Sequence, residues 1–432
     1  MYRSDRFSRI DHPDRGPILI TITALAILAT AFACIARGDK KIETVASTTS
    51  AVAPKLAVAG EVADSQQGAP QIVTFADAQT AYGKRHYREA TESFDNYVQR
   101  HPGNSFGLYM LGLSAWKSGD LERARDAFES SLAIDSTNVK TLLNLGRVLL
   151  DQGKPNDALD RVNTAVALDS GSADAHRVLA RVHVALGERE PAEEEYRVAL
   201  SIDPGDSWSM NNLGLLLIEQ GRYEEALPPL ARAVELRPDA PAFANNLGVA
   251  LERTGHPGAA ANAYRSALAA DSTYSKAQRS LARVHVALGE REPAEEEYRV
   301  ALSIDPGDSW SMNNLGLLLI EQGRYEEALP PLARAAELRP DAPAFANNLG
   351  VALERTGHPG AAANAYRSAL AADSTYSKAQ RSLARVTGVR DDSEIDVSVL
   401  ASSFNEELQK AKQARVVAKG VVKPDSVKTP ER

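Results

Sequence analysis

Residues Leu179 to Ser280 are written a second time as Leu281 to Ser382, a stretch of 102 residues in which only Val234 changes, to Ala336. A chain that accepts such an insertion is built from whole structural units, because a fraction of a unit would leave an apolar face unmatched. The length is three times 34, and a 34-residue period inside each copy is what an array of helical hairpins leaves in a sequence. Units begin at residues 71, 105, 139, 173, 207, 241, 275, 309 and 343, without insertion or deletion. At 432 residues the chain is too long for one ordinary core, but an array lengthens without enlarging any single core. The identity of the copies reaches solvent-facing positions, so it records a duplication and does not by itself mark residues that work.

Residues 207–240 show how one unit is built. Met210, Leu213, Gly214 and Leu217 fall at i, i+3, i+4 and i+7, one face of a first helix that Gly221 ends. A second helix begins near Tyr223 with Glu224 and Glu225 in its first turn, where carboxylates suit the helix dipole. Ala226, Leu230, Ala233 and Leu236 form its apolar stripe, and Pro238 stops it. Gly214 and Ala226 are small where the two helices are expected to cross. Pro228 and Pro229, copied as Pro330 and Pro331, sit inside the second helix and are expected to bend it or delay its start.

Leu213-Gly214, Gly221, Tyr223, Ala226, Ala233 and Pro238 at these offsets resemble the tetratricopeptide repeat. The second-helix alanine recurs in all nine units, at Ala90, Ala124, Ala158, Ala192, Ala226, Ala260, Ala294, Ala328 and Ala362. The resemblance implies an all-α fold, a right-handed α-solenoid of tandem antiparallel helix pairs over residues 71–376. The first unit carries Asp77 and Ala78 where later ones have Leu-Gly or a close variant, which suits a polar N-terminal cap. Residues 377–420 read as a half-repeat, with Leu383 and Ala384 in place, followed by a capping helix. Val397, Leu400, Phe404, Leu408 and Ala411 place that helix over 394–417, where it is expected to cover the last exposed groove. Residues 421–432 read as a disordered tail.

Before the array, residues 17–36 carry no charge and just span a hydrocarbon core of roughly 30 Å, so they read as a transmembrane helix or a signal sequence. Arg3, Arg6, Arg9 and Arg15 in the polar segment 1–16 outnumber Arg37, Lys40 and Lys41 beyond it, favouring an inner N-terminus. Ala31-Phe32-Ala33 has the form of a cleavage site, and with Cys34 it resembles a bacterial lipoprotein box, departing from it at Ala31 and Phe32. Uncleaved anchor, cleaved export and lipoprotein all remain open; with an inner N-terminus the repeats are expected outside the cytoplasm, in a periplasm if the source is bacterial. Residues 37–70, with Pro54, Gly60, Gly68 and Pro70, read as a flexible linker.

The net charge of -8 gives no reason to expect nucleic acid as partner. The single cysteine, Cys34, excludes an internal disulfide framework and a cysteine-based zinc site. None of the eight histidines stands at metal-ligand spacing; His176 and His183 share a face, and core filling accounts for them better than a metal. No glycine run forms a phosphate loop, so no cofactor, metal or catalytic constellation is expected.

Recognition of a protein segment is the function the resemblance implies. In this family the first helices line the concave surface, and their second, fifth, sixth and ninth positions face ligand. Carried onto this chain, the sixth position holds Asn144, Asn212, Asn246, Asn314 and Asn348, interrupted by Met110, Val178, Ser280 and Ser382. An amide both donates and accepts, so such a row can hold the backbone of an extended peptide whatever its side chains. Arg177 with Arg181, Arg279 with Arg283, and Arg381 with Arg385 are i,i+4 like-charge pairs on that implied face, and something acidic should compensate each. The compensation is either a bound carboxylate, as in the carboxylate clamp these positions partly resemble, or glutamates of an adjacent helix such as Glu252 and Glu354. Trp208 and Trp310 are either exposed anchors or buried in the seam between units. The expected function is therefore a non-enzymatic scaffold for an extended partner segment. The alternatives are an accessory subunit of an enzyme complex with catalysis on another chain, and a self-assembling spacer.

Overall fold

The computed structural model describes residues 74–389 and 395–418. The 17–36 segment, Ala33 and Cys34, the 37–70 linker and the 421–432 tail lie outside the described residues. Within them are twenty α-helices and no strand. They alternate as first and second helices: α1 Phe75–Gly83, α2 Tyr87–Arg100, α3 Ser105–Ser118, α4 Leu121–Ile134, α5 Val139–Asp151, α6 Pro155–Leu168, α7 Ala173–Leu186 and α8 Arg189–Ile202. Then follow α9 Ser207–Glu219, α10 Tyr223–Leu236, α11 Pro241–Arg253, α12 Pro257–Ala270, α13 Ser275–Leu288 and α14 Arg291–Ile304. The series closes with α15 Ser309–Glu321, α16 Tyr325–Leu338, α17 Pro343–Arg355, α18 Pro359–Ala372, α19 Ser377–Val386 and α20 Val397–Ala418. From α3 onward every first helix starts on the first residue of its unit. The copies themselves are joined inside helices, Leu179 lying within α7, Leu281 within α13 and Leu383 within α19.

Each hairpin after the first turns on a glycine whose φ is positive, between 70° at Gly153 and 88° at Gly119, a conformation that closes a helix C-terminus and that side chains disfavour. In the first unit Arg85 stands at this place with φ 63°, so the terminal unit carries a strain the others avoid.

The helices of a pair close on a small residue. A Cβ added to Gly214 would lie 2.4 Å from Leu230 Cγ, and one added to Gly248 would lie 2.5 Å from Tyr264 Cε1. The residue that fills the space over Gly214 is Leu230, one turn beyond Ala226. Ala226 is itself fully buried. The larger side chain wins because the missing Cβ makes room for it, and the pair then packs without a cavity.

The prolines of α10 and α16 do not delay those helices. Tyr223 begins α10 at the same offset as Arg189 begins α8, and the helix runs unbroken past Pro228 and Pro229 to Leu236. The carbonyls of Glu224 and Glu225 forgo their intrahelical partners, since proline has no N–H.

Successive first helices pack on one another, α9 on α11, α11 on α13, α13 on α15 and α15 on α17, whereas no two successive second helices do so to a comparable extent. An array whose first helices are closer together bends with them on the inner side. The second helices splay apart on the outer side and leave furrows between them.

The C-terminal helix departs from its expected position. α20 does not lie over α19; it runs back along the outer side, packed on α16 and α14, with Ile395 to Ser398 beside α17 and α18. Ala401, Phe404 and Leu408 are its buried stripe and join the core that contains Leu302, Leu329 and Ala333. Arg334 donates to Asn405 Oδ1 at 3.4 Å, and Arg415 reaches the Ser272 carbonyl at 3.0 Å. The furrow between splayed second helices offers this stripe a two-walled apolar trough, which the half-unit at α19 lacks.

Candidate protein-binding face

The first helices bring the asparagines to the inner side, but the row is interlocked. Asn246 Nδ2 donates to Asn211 Oδ1 at 2.9 Å, and Asn348 repeats this with Asn313 at 2.9 Å. Asn211 Nδ2 in turn donates to Asn212 Oδ1 at 3.3 Å, and Asn313 Nδ2 to Asn314 Oδ1 at 3.3 Å. Asn211, Asn245, Asn313 and Asn347 are buried, while their sixth-position neighbours Asn212, Asn246, Asn314 and Asn348 keep partial exposure. In these bonds each of Asn246 and Asn348 uses one N–H, which leaves the second N–H for a ligand. Asn144 differs: it is buried, donates to the Tyr109 hydroxyl at 3.1 Å and accepts from Arg147 at 2.7 Å. The doublets Asn211-Asn212, Asn245-Asn246, Asn313-Asn314 and Asn347-Asn348 were the sequence signal for this interlock, but periodicity alone does not say that one amide of each doublet points at the neighbouring unit.

The arginines divide into two kinds. Arg177 pairs with Asp174 and, at 2.7 Å, with Asp206, the buried carboxylate that caps α9 by accepting from Trp208 and Ser209 backbone N–H groups. Arg279 pairs with the equivalent cap Asp308 at 2.6 Å. These two side chains clip one unit to the next cap, so their expected place in a ligand site is corrected: the fifth position reaches along the array. At the ninth position Arg283 holds Glu252 through two bonds of 2.7 Å, and Arg385 holds Glu354 through bonds of 2.6 and 2.7 Å, as the adjacent-helix alternative anticipated.

Arg181 is the exception. It is partly buried and forms no ion pair among the described residues, because Leu150 of α5 stands where Glu252 and Glu354 stand for its duplicates. Beside it is the buried Tyr196, which burial pushes up to about 12, with Arg181 and Asn212 opposing the shift. The cation, the hydroxyl and the amide therefore sit together on one side of the joint between α7 and α9. Arg381 is exposed and likewise has no ion pair among the described residues.

Trp208 and Trp310 are half-exposed, each meeting a phenylalanine of the following unit edge to face at 5.0 Å (Phe243 and Phe345), with Arg237 and Arg339 over the rings at 6.0 Å. Each ring thus has one edge in the seam between units and the other toward solvent.

No group of acidic, histidine or cysteine side chains that could hold a metal occurs among the described residues. His176 instead faces Glu195 at 2.5 Å and the Ser170 carbonyl at 3.1 Å. One 102-residue period later Gln278 takes its place and donates to Glu297 at 2.5 Å. Burial then pushes the Glu297 carboxyl up to about 7, the neighbouring Arg265 opposing this. A carboxyl whose folded pKa lies above its ordinary 4.5 binds its proton more tightly when folded, so its contribution is full below 4.5 and is lost as pH rises through 7. Glu297→Gln is therefore expected to raise stability at pH 8 by about 1 kcal/mol, discounted for residual solvent contact, and to give no gain near pH 4. Urea unfolding at both pH values checks this.

The tetratricopeptide repeat signature matches residues 75–139, 143–207, 211–275 and 313–377, and a second signature of the same description matches 115–167 and 251–312. The chain belongs to the tetratricopeptide repeat family. Among solved structures of such repeats, a MamA protein is 27% identical over 40% of this chain and 96% of its own, with a TM-score of 0.34. YrrB, described as a TPR protein with an unusual peptide-binding site, is 22% identical over 46% of this chain and 100% of its own, with a TM-score of 0.37. PilF of Pseudomonas aeruginosa is 23% identical over 58% of this chain and 98% of its own, with a TM-score of 0.42. Among curated proteins none matches the chain. No helix among the described residues is long and apolar enough to cross a membrane.

Proposed function

We propose that this tetratricopeptide array is a non-enzymatic scaffold that holds an extended, acidic segment of a partner protein along its inner face. Tetratricopeptide repeats are in general protein-interaction scaffolds, which supports the coarse reading. The finer one rests on Arg181, a partly buried guanidinium without an ion pair among the described residues, beside Asn212 and Tyr196, whose duplicate Arg283 is already closed by Glu252. A carboxylate of the segment completes Arg181 through two parallel bonds, the geometry that arginine favours. Asn212, Asn246, Asn314 and Asn348 hold the backbone, and Trp208 and Trp310 offer exposed edges to its side chains. The first copy then reads acidity, while the second continues the hold on the backbone.

The uncharged 17–36 segment and the 37–70 linker support a tether that presents the array outside the cytoplasm, whether as an anchor, an exported form or a lipoprotein at Cys34.

Selecting short peptides from a random library on the full chain tests the proposal. Selected peptides should be rich in Asp and Glu, and should lose at least about tenfold in affinity on Arg181→Ala but little on Arg283→Ala. Combined replacement of Asn212, Asn246, Asn314 and Asn348 by alanine should weaken all of them. Affinities unchanged by both sets would overturn the reading.

A further inference from the structure

The two copies carry the same outer surface, yet among the described residues only one of them is covered. α20 occupies the furrow between α14 and α16, and the corresponding furrow of the first copy lies between α8 and α10 with nothing described in it. The difference is visible residue by residue. Leu302, Leu329 and Ala333 are 0%, 5% and 2% exposed under α20, whereas Leu200, Leu227 and Ala231 keep partial exposure. The Arg334 side chain is 21% exposed, and its duplicate Arg232 is 55% exposed. Ile202 adds an apolar edge at 38%. The sole difference between the copies, Val234 for Ala336, falls three residues after Ala231 and keeps this stripe apolar.

From this duplication we infer a second docking site: the α8–α10 furrow binds an amphipathic helix of a partner protein that carries the pattern of α20. That pattern is a small residue, an aromatic three positions on and leucine four further, as in Ala401, Phe404 and Leu408, with an amide after the aromatic to meet Arg232 as Asn405 meets Arg334. The basic end of α20 is not part of the pattern. Arg415 bonds the Ser272 carbonyl, but the equivalent Ser170 carbonyl already meets His176.

A second copy of the chain is a poorer occupant. Moving α20 into another molecule uncovers a surface equal to the one it covers, so contacts cancel, while the advantage of being attached beside its own site, an effective concentration of order mM, is lost. A helix from a different protein fills the furrow without uncovering anything. This site lies on the second-helix side and stands or falls independently of the inner-face reading.

The probe is a fluorescent peptide of residues 395–418 titrated into the full chain. One-to-one saturable binding is expected, weakened at least about tenfold by Leu227→Asp or Ala231→Arg in the chain and by Phe404→Ala in the peptide. Leu227 and Ala231 both also pack against the core, so each variant's urea unfolding is measured alongside, and weakened binding counts only in a variant that keeps the parent stability. The inference is overturned by absence of saturable binding or by binding that neither chain variant weakens. It is also overturned if chains carrying Asn405→Cys and Arg232→Cys, the pair equivalent to Asn405 and Arg334, crosslink to each other without peptide, which would make a second copy the occupant.

Discussion

Gly248→Ala is expected to destabilise the array by about 1–2 kcal/mol, even though alanine is the better helix former by about 1 kcal/mol. The new methyl would meet three ring atoms of Tyr264 at 2.5 to 2.9 Å. That ring is fully buried and cannot swing away cheaply, because its hydroxyl donates to Glu252 Oε2 at 3.0 Å and Glu252 is held by Arg283. Overpacking of this kind costs about 1–3 kcal/mol and so exceeds the gain in helix propensity. The chain supplies its own replicate, since Gly350 meets Tyr366 at the same distances and Tyr366 bonds Glu354 at 2.9 Å. It also supplies a control of opposite sign. Gly258 in α12 has nothing within 4 Å of a new Cβ, and Gly258→Ala should stabilise by a few tenths to 1 kcal/mol. Urea unfolding of the three variants measures all of this; a gain in stability for Gly248→Ala would show that the interhelix approach is looser than described.

Phe404→Ala should release α20 from the array. Phe404 is only 8% exposed, and deleting a buried phenylalanine costs about 3 kcal/mol or more, comparable with all that a single two-walled contact of this size supplies. Loss is expected to be local, because an array is stabilised by nearest neighbours and α20 packs chiefly on α14 and α16, reaching beyond them through the Arg415 bond to the Ser272 carbonyl. Hydrogen exchange should therefore show protection lost over 397–418 and reduced at the outer faces of α14 and α16, with α8 and α10 unchanged. Protection retained in α20 would mean that Ile395 and Leu408 suffice to hold it.

These two sites mark what could and could not be read from the residues. The period fixes where each helix starts, because a 34-residue offset carries caps, glycine turns and apolar stripes together. Gly214 was legible as a close-approach position, but which side chain enters the gap depends on the crossing of two helices, and Leu230 was chosen by geometry. The stripe on α20 was equally plain, whereas its partner was not: amphipathicity says that a face is buried and never against what. At the candidate site, i,i+4 arginines announced a need for acid. Whether the acid is internal depended on residue 150 or 252 in the preceding unit, a pairing across 31 positions that no local pattern displays.

The seams between the copies fall within α7, α13 and α19, so α13 is a composite: its first turns descend from the end of one copy and its last turns from the beginning of the next. At the level of the gene, unequal crossing-over between the two segments exchanges half of one helix for half of another that has the same phase. Progeny with one segment or three would keep every turn, every cap and the terminal segment bearing α20. They would differ in how many exposed outer furrows they display, while Arg181, which lies next to the unduplicated part of the chain, would remain single in all of them. Recombination can thus alter the reach of the protein without altering the surroundings of Arg181.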